Sequence, residues 1–413
     1  MKSKLRARYR FVAVFLLAMA LVNCVEFWQQ RARILAGYGD FSALYTAGLL
    51  LRAGEGKSLY DRHEQWRAQR SFASNVDIRK GPMPFIRPPF EALLFLPLAY
   101  FSYPVALAIW SLVKVALLWL TAWLLPRPQP FARIYPTWME AALCLGYFPV
   151  FLDLFQGQDA VLLLLLVAAA LTCLQSGRNA AAGAVLSMGL FKFHLVIPVA
   201  TMFWLAGRSR FLAGFLPGAA ALVALSCVIS GVNVLYTYPS YLLSLNRATG
   251  AGVVTAQSMP NLRGVLTAFL GRAPYPGPIH WLLLPVAIAA VVMAARFWRA
   301  VVSTGFPGLA LGYCLALLVA ILTSYYAYSY DMTLLAIPLL LLSGGFLDEP
   351  WLARRARSMI AGGLLLLICT PLYWTLILRI DCPYLLVIPM LILALGIVEA
   401  MRQVPSATST ETA

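Results

Sequence analysis

What most limits the fold of this chain is the recurrence, from end to end, of apolar runs long enough to cross ~30 Å of hydrocarbon as helices. A spanning segment must satisfy its own backbone hydrogen bonds, which leaves helices or a closed barrel. The runs are rich in Leu and Ala and lack two-residue alternation, so the sequence predicts an all-α, polytopic integral membrane bundle. Composition agrees. Of 413 residues, 61% are apolar and only 12% charged, with a mean hydropathy of +0.78, whereas soluble chains carry about 25% charged residues.

The net charge of +16 raises nucleic acid as a partner, and its distribution argues against one. Basic residues gather in short segments between apolar runs: Lys2 to Arg10, Arg208 and Arg210, Arg296 and Arg299, and Arg354, Arg355 and Arg357. That is the positive-inside pattern, and it places these segments in the cytoplasm. Seven cysteines lie mostly inside apolar runs without a Cys-x-x-Cys, so neither a disulfide framework nor a zinc site is expected. The basic N-terminus and Phe11 to Val22 resemble a signal peptide, but no small-residue cleavage site follows and an uncleaved first helix over 11–34 is expected.

A polar segment, 37–88, comes next. Apolar runs then fall at about 89–101, 105–125, 138–154, 160–175, 180–206, 211–230, 281–298, 307–323, 331–347, 358–378 and 383–401. Residues 1–404 read as one membrane domain of ten to thirteen spans, and 405–413 as a disordered tail. The Lys/Arg bias puts 37–88, 231–280 and the aromatic turn 324–330 together on the outer face. The stretch 88–206 reads two ways. If each run crosses once, Gln158 faces inward; if 89–101 is re-entrant and 180–206 is a broken pair, Gln158 and Lys192 approach the outer site. Arg127 and Arg133 favour the second.

Asp40 precedes the amphipathic run Phe41 to Leu51, expected to lie in the interface. It is either an N-cap or a general base held at the membrane surface, and the two roles are compatible. Gly54-Glu55-Gly56-Lys57-Ser58 lacks the spacing and the preceding strand of a nucleotide-binding loop, and Asp61 reads as the cap of the next helix. Arg87, where the chain re-enters the membrane, is either an interfacial anchor or a phosphate ligand. Ionisable residues inside apolar runs are costly: Lys114, Asp153, Lys192, His194 and Asp331 qualify. Lone His194 makes no metal site. Tyr325, Tyr326, Tyr328 and Tyr330 suit an aromatic belt or a sugar site, with Asp331 a plausible cap beside them. Gln257, Ser258, Asn261 and Arg263, with Arg247 and Arg272 nearby, add amides and cations to the same face.

Asp40 with Tyr45 and Ala47, Gly54/Gly56-Leu59-Tyr60-Asp61, Arg87-Pro88-Pro89-Phe90, Gly157-Gln158, Gly183 to Lys192, Gln257-Ser258 and Ser324 through Met332 together resemble glycosyltransferase family 87. That family includes polyprenol-phosphate-mannose-dependent α-mannosyltransferases of the GT-C superfamily. The resemblance implies a multi-pass enzyme of a bacterial inner membrane with its site facing the exterior, and inverting transfer of a hexose, mannose first, from a polyprenyl phosphate to a lipid or glycan acceptor. It implies Asp40 as base. Lys192, Arg87, His194, Gln257 and Arg263 are then candidates for the donor phosphate, and Tyr45, Gln158, Tyr326, Tyr330 and Asp331 for sugar or acceptor. Asp159 stands where the family often has Asn, His194 follows Lys192 where another residue is usual, and the tyrosine turn lacks a histidine some relatives carry. No Asp-x-Asp pair marks a metal-nucleotide site in the outer segments, so neither metal nor cofactor is expected. A glycan ligase or polymerase using lipid diphosphates, and a transporter, are the competing classes. The first would carry arginine with histidine in a large outer loop, where only His63 and His280 are available, and the second would show an internal repeat, which the sequence lacks.

Overall fold

The computed structural model describes residues 2–73, 81–125, 137–247, 255–271 and 278–405; Arg127, Arg133, Arg272, the Arg247 side chain and the tail from 406 lie outside the described residues. The N-terminal run is one helix, α1 (Lys2–Leu35). The first polar segment folds as α2 (Phe41–Arg52) and α3 (Arg62–Arg70). After α4 (Pro89–Phe95) come α5 (Tyr103–Leu124), α6 (Thr137–Leu145), α7 (Phe148–Gln156) and α8 (Ala160–Gln175). The middle is built from α9 (Asn179–Ser187), α10 (Phe193–Leu205), α11 (Leu212–Ser230), α12 (Val234–Arg247) and α13 (Leu262–Leu270). The C-terminal part holds α14 (Pro278–Val301), α15 (Phe306–Thr323), α16 (Ala336–Leu342), α17 (Arg354–Ile368), α18 (Thr370–Tyr373) and α19 (Val387–Met401). Among the described residues there is no strand.

Among the described residues, seven helices are long and apolar enough to cross a membrane, or eight if Arg354–Ile368 and Thr370–Arg379, bent by 64°, form one crossing. The number falls below ten because several runs break into pieces too short to cross. Run 89–101 gives only the seven residues of α4 and a 3-10 turn. Run 138–154 is split between α6 and α7, and run 331–347 opens with the 3-10 stretch Ser329–Leu335.

Asn179–Leu205 is counted among the seven, yet it folds back on itself. As one straight helix its 27 residues would extend ~40 Å. Instead Arg208, just past its end, donates to Asn179 Oδ1 at 3.2 Å. α9 and α11 also run side by side in the same direction, with Ala180 against Gly214 and Ser187 against Gly218. A Cβ on Gly214 would lie 1.8 Å from the Ala180 carbonyl oxygen, so only glycine permits this approach. α9 and α10 are thus the arms of a hairpin whose tip is the 3-10 turn Met188–Lys192. This is the broken-pair arrangement, and it carries Lys192 into the protein interior.

α15 is the axis of the bundle, buried at every residue from Gly308 to Leu322. α11 is its opposite: only Phe215 and Ser226 are buried, and Val228 is 82% exposed on an apolar face suited to lipid. α2 departs from expectation. It buries Phe41 to Gly48 without interruption, against α4 and α3, and is a core helix and not an interfacial one.

Candidate active site

Asp40 stands at the start of α2, half-buried, and its side chain makes no capping hydrogen bond. Asp61 behaves differently, accepting from the amides of His63 and Glu64 at 2.8 and 3.4 Å as a cap should. The Asp40 carboxylate accepts instead from Gln158 Nε2 at 2.7 Å, and Gln158 Oε1 accepts from Arg87 Nη2 at 2.9 Å. Because a guanidinium only donates, Arg87 fixes which way the amide points and so aims its NH2 at Asp40.

Arg87 leads into a buried ion cluster. Its Nε and Nη2 lie 2.9 and 3.0 Å from the two carboxylate oxygens of Asp159. Lys192 Nζ lies 2.7 Å from Asp159 and 2.5 Å from Asp331, and the other Asp331 oxygen accepts from the Tyr328 amide at 2.9 Å. Arg87 is 6% exposed and Lys192 1%, which displaces the interfacial-anchor reading of Arg87. Burial opposes ionising Asp159, but Arg87 and Lys192 outweigh it and hold its carboxyl below the usual range.

Glu91 is the member that sequence reasoning missed. Wholly buried, it lies 3.6 Å from Arg87 Nε. Burial and then the Asp159 carboxylate push its carboxyl well above the ordinary range, with Arg87 opposing. Its spacing four residues after Arg87 was the available signal.

The turn that delivers Gln158 and Asp159 follows from a helix stop. α7 ends at Gly157, whose φ of +68° is left-handed, and a Cβ there would lie 2.5 Å from the Phe41 Cβ. The chain reverses against α2, and the next two side chains face Asp40 and Arg87. Lys114 and Asp153, the other charged residues in apolar runs, pair with each other at 3.1 Å.

The tyrosine turn joins the same region. Tyr330 lies under Lys192, with Nζ 4.9 Å from the ring centroid, and Asp40 is close enough to interact electrostatically with the Tyr330 phenol. Arg263 stacks 3.8 Å over Tyr325 and donates to its carbonyl at 2.7 Å, and Asn261 donates to the Ser324 carbonyl at 2.9 Å. These contacts clamp the segment bearing Gln257, half-buried in the turn Ala256–Ser258, onto the tyrosine turn. His194 and Tyr326 meet edge to face at 6.2 Å and, with Arg87, line a narrow cleft. Its other walls are apolar: Ile86, Phe191, Phe193, Leu242 and Leu245. Both His194 ring nitrogens are buried with no hydrogen-bond partner. Tyr45 is not brought in. It donates to the Phe101 carbonyl at 2.7 Å and lines a separate cleft with Arg52 and Tyr100.

A helical membrane bundle enclosing one connected group of carboxylates, cations and aromatic rings is an integral membrane protein with an internal polar site. The chain belongs to glycosyltransferase family 87, whose sequence model matches residues 85–324, more than half of its length. It is therefore a membrane glycosyltransferase. The match takes in Arg87, Gln158, Lys192, His194, Gln257 and Arg263, while Asp40, Tyr45, Tyr326, Tyr330 and Asp331 lie beyond it. No curated protein and no solved structure matches the chain.

Proposed function

We propose that the enzyme moves a hexose, mannose first, from a polyprenyl phosphate to a lipid or glycan acceptor, with Asp40 as general base and the site open to the exterior. The observation that carries this reading is the chain Asp40–Gln158–Arg87. It sets a carboxylate not spent on capping beside a cation that borders an apolar-walled cleft. Such a cleft suits an amphiphile with an anionic head: Arg87 and the unpartnered His194 nitrogens for the phosphate, the phenylalanines and leucines for the chain.

The acceptor oxygen attacks the sugar C1 from the face opposite the phosphate while Asp40 takes its proton. The C1–O bond to phosphate breaks, the configuration inverts, and Arg87 stabilises the charge gathering on the departing phosphate. Arg87 and Lys192 are both held by Asp159, and Arg87 is preferred for the phosphate because it lines the cleft and Lys192 does not. The Lys/Arg distribution supports the outward orientation.

The test is turnover by the full-length chain in vesicles, with polyprenyl-phosphate mannose, polyprenyl-phosphate glucose or a polyprenyl-diphosphate oligosaccharide offered as donor. Release of polyprenyl phosphate from a monophosphate donor is expected. Use of the diphosphate donor alone would overturn the reading.

A further inference from the structure

We infer that the buried pair Lys114–Asp153 is a positioning device for Asp40, an inference that rests on the base assignment proposed above. The two bond to each other and to backbone, and both are 0% exposed. Their bonds converge on the turn that carries Gln158. Lys114 Nζ donates to the Asp153 carbonyl at 2.8 Å and to its Oδ2 at 3.1 Å. The same carbonyl accepts from the Gln158 amide at 2.9 Å. Asp153 Oδ1 accepts from the Ala160 amide at 2.7 Å, fixing the far side of the turn. Trp110, one helical turn before Lys114 on α5, donates to the Gly157 and Gln158 carbonyls at 3.0 and 3.3 Å.

Gln158 thus has its amide held by Asp153 and its carbonyl by Trp110, while the next residue but one is held by Asp153 as well. Buried turn backbone needs partners, and here α5 and α7 provide them. An ion pair is an expensive way to fill space, since well-packed apolar residues are often as stable or more so. What an apolar pair could not supply is an acceptor for the Ala160 amide and a cation bridging the two acceptors of Asp153. These hold the turn in the register at which the Gln158 side chain spans from Arg87 to Asp40. A shift of about 1 Å there would lengthen the 2.7 Å bond to Asp40 beyond use. Lys114 and Asp153 act through Gln158 and do not meet substrate.

The experiment compares two charge-free double variants of the full-length chain in vesicles. K114M/D153N keeps a side-chain oxygen for the Ala160 amide; K114M/D153L keeps none. Turnover of polyprenyl-phosphate mannose is read with octyl α-mannoside as acceptor. Asp40 titration is read independently of activity, as pH-dependent carbodiimide labelling followed by mass spectrometry. K114M/D153L is expected to lose turnover on the order of 10²-fold with KM for the donor little changed. Its Asp40 titration should move up by about one pH unit, because a hydrogen bond to a carboxylate favours the ionised form. K114M/D153N, which keeps the acceptor for the Ala160 amide and loses only the bridging cation, should lose less, about tenfold in turnover, with a smaller movement of the Asp40 titration. A folded K114M/D153L with wild-type turnover and unmoved Asp40 titration would overturn the inference, as would equal losses in both variants that track a common fall in Tm. Asp40→Asn in the same assay separates the two levels. An active Asp40→Asn enzyme overturns the base assignment beneath, whereas an inactive one beside a fully active K114M/D153L overturns the positioning role alone.

Discussion

Lys114 and Lys192 both sit in apolar runs and both are buried, and hydropathy treats them alike. Their partners differ. Lys114 crosses from α5 to α7 and meets one carboxylate, Asp153, whose remaining bonds go to backbone. Lys192 stands at a hairpin tip and meets two carboxylates from two further elements, Asp159 and Asp331, next to Arg87 and above the Tyr330 ring. An ionisable residue in a membrane run therefore points to a candidate site when its partners converge with other polar groups. When they end in backbone, the pair is part of the scaffold that holds the site.

Breaking the two pairs should give effects of different size. Lys192→Met strands Asp159 and Asp331 against Arg87 alone, and removing one partner of a buried pair costs about 3–5 kcal/mol. It should therefore lose both folded yield and turnover, measured by size-exclusion profile and donor consumption. Lys114→Met strands a single carboxylate and should fall at the lower end of that range, visible as a reduced Tm with part of the protein still folded.

Glu91 gives a smaller and pH-dependent effect. Its carboxyl is raised in the folded state, so its contribution is fully present below the unfolded value of about 4.3 and is lost as pH rises through the folded value. Asp159 is depressed, so its contribution is present above about 3.9 and is lost as pH falls. Glu91→Gln should then be nearly silent at about pH 4 and should flatten the fall of Tm as pH rises from about 4.3 towards the folded value, while leaving the acid decline set by Asp159 in place. A Tm profile parallel to wild type across that rise would contradict this. His194→Phe should change stability least, and Tm should hold or rise because a buried unpartnered imidazole is removed. Its effect should appear as weaker binding of farnesyl phosphate, about tenfold or more for a lost hydrogen bond to a charged group, with farnesol unaffected.

Much of the candidate site was legible in the sequence because charge inside apolar runs is rare. Asp40, Arg87, Gln158, Lys192 and Asp331 stand out that way or by their place beside a turn, and the structure brings them together. Tyr45 was drawn in by its nearness to Asp40, but five residues along a helix is a rotation of about 140°, and its ring points to another cleft. Glu91 was hidden because Arg87-Pro88-Pro89-Phe90 reads as a boundary where the chain enters the membrane. The number of crossings was overread for a similar reason. Hydropathy records how long a run stays apolar and not whether it reverses, and the hairpin of α9 and α10 reverses with Lys192 and His194 as its only ionisable residues.

The central claim is that the carboxylate oriented by Gln158 is the base of the transfer. Turnover of polyprenyl-phosphate mannose by Asp40→Asn, with Tm recorded on the same preparation, tests it most directly. The variant keeps the size of the side chain and loses its basicity, so turnover should fall 10²- to 10⁴-fold, the usual worth of a general base, at an unchanged Tm. Full turnover by a folded Asp40→Asn enzyme would contradict the account.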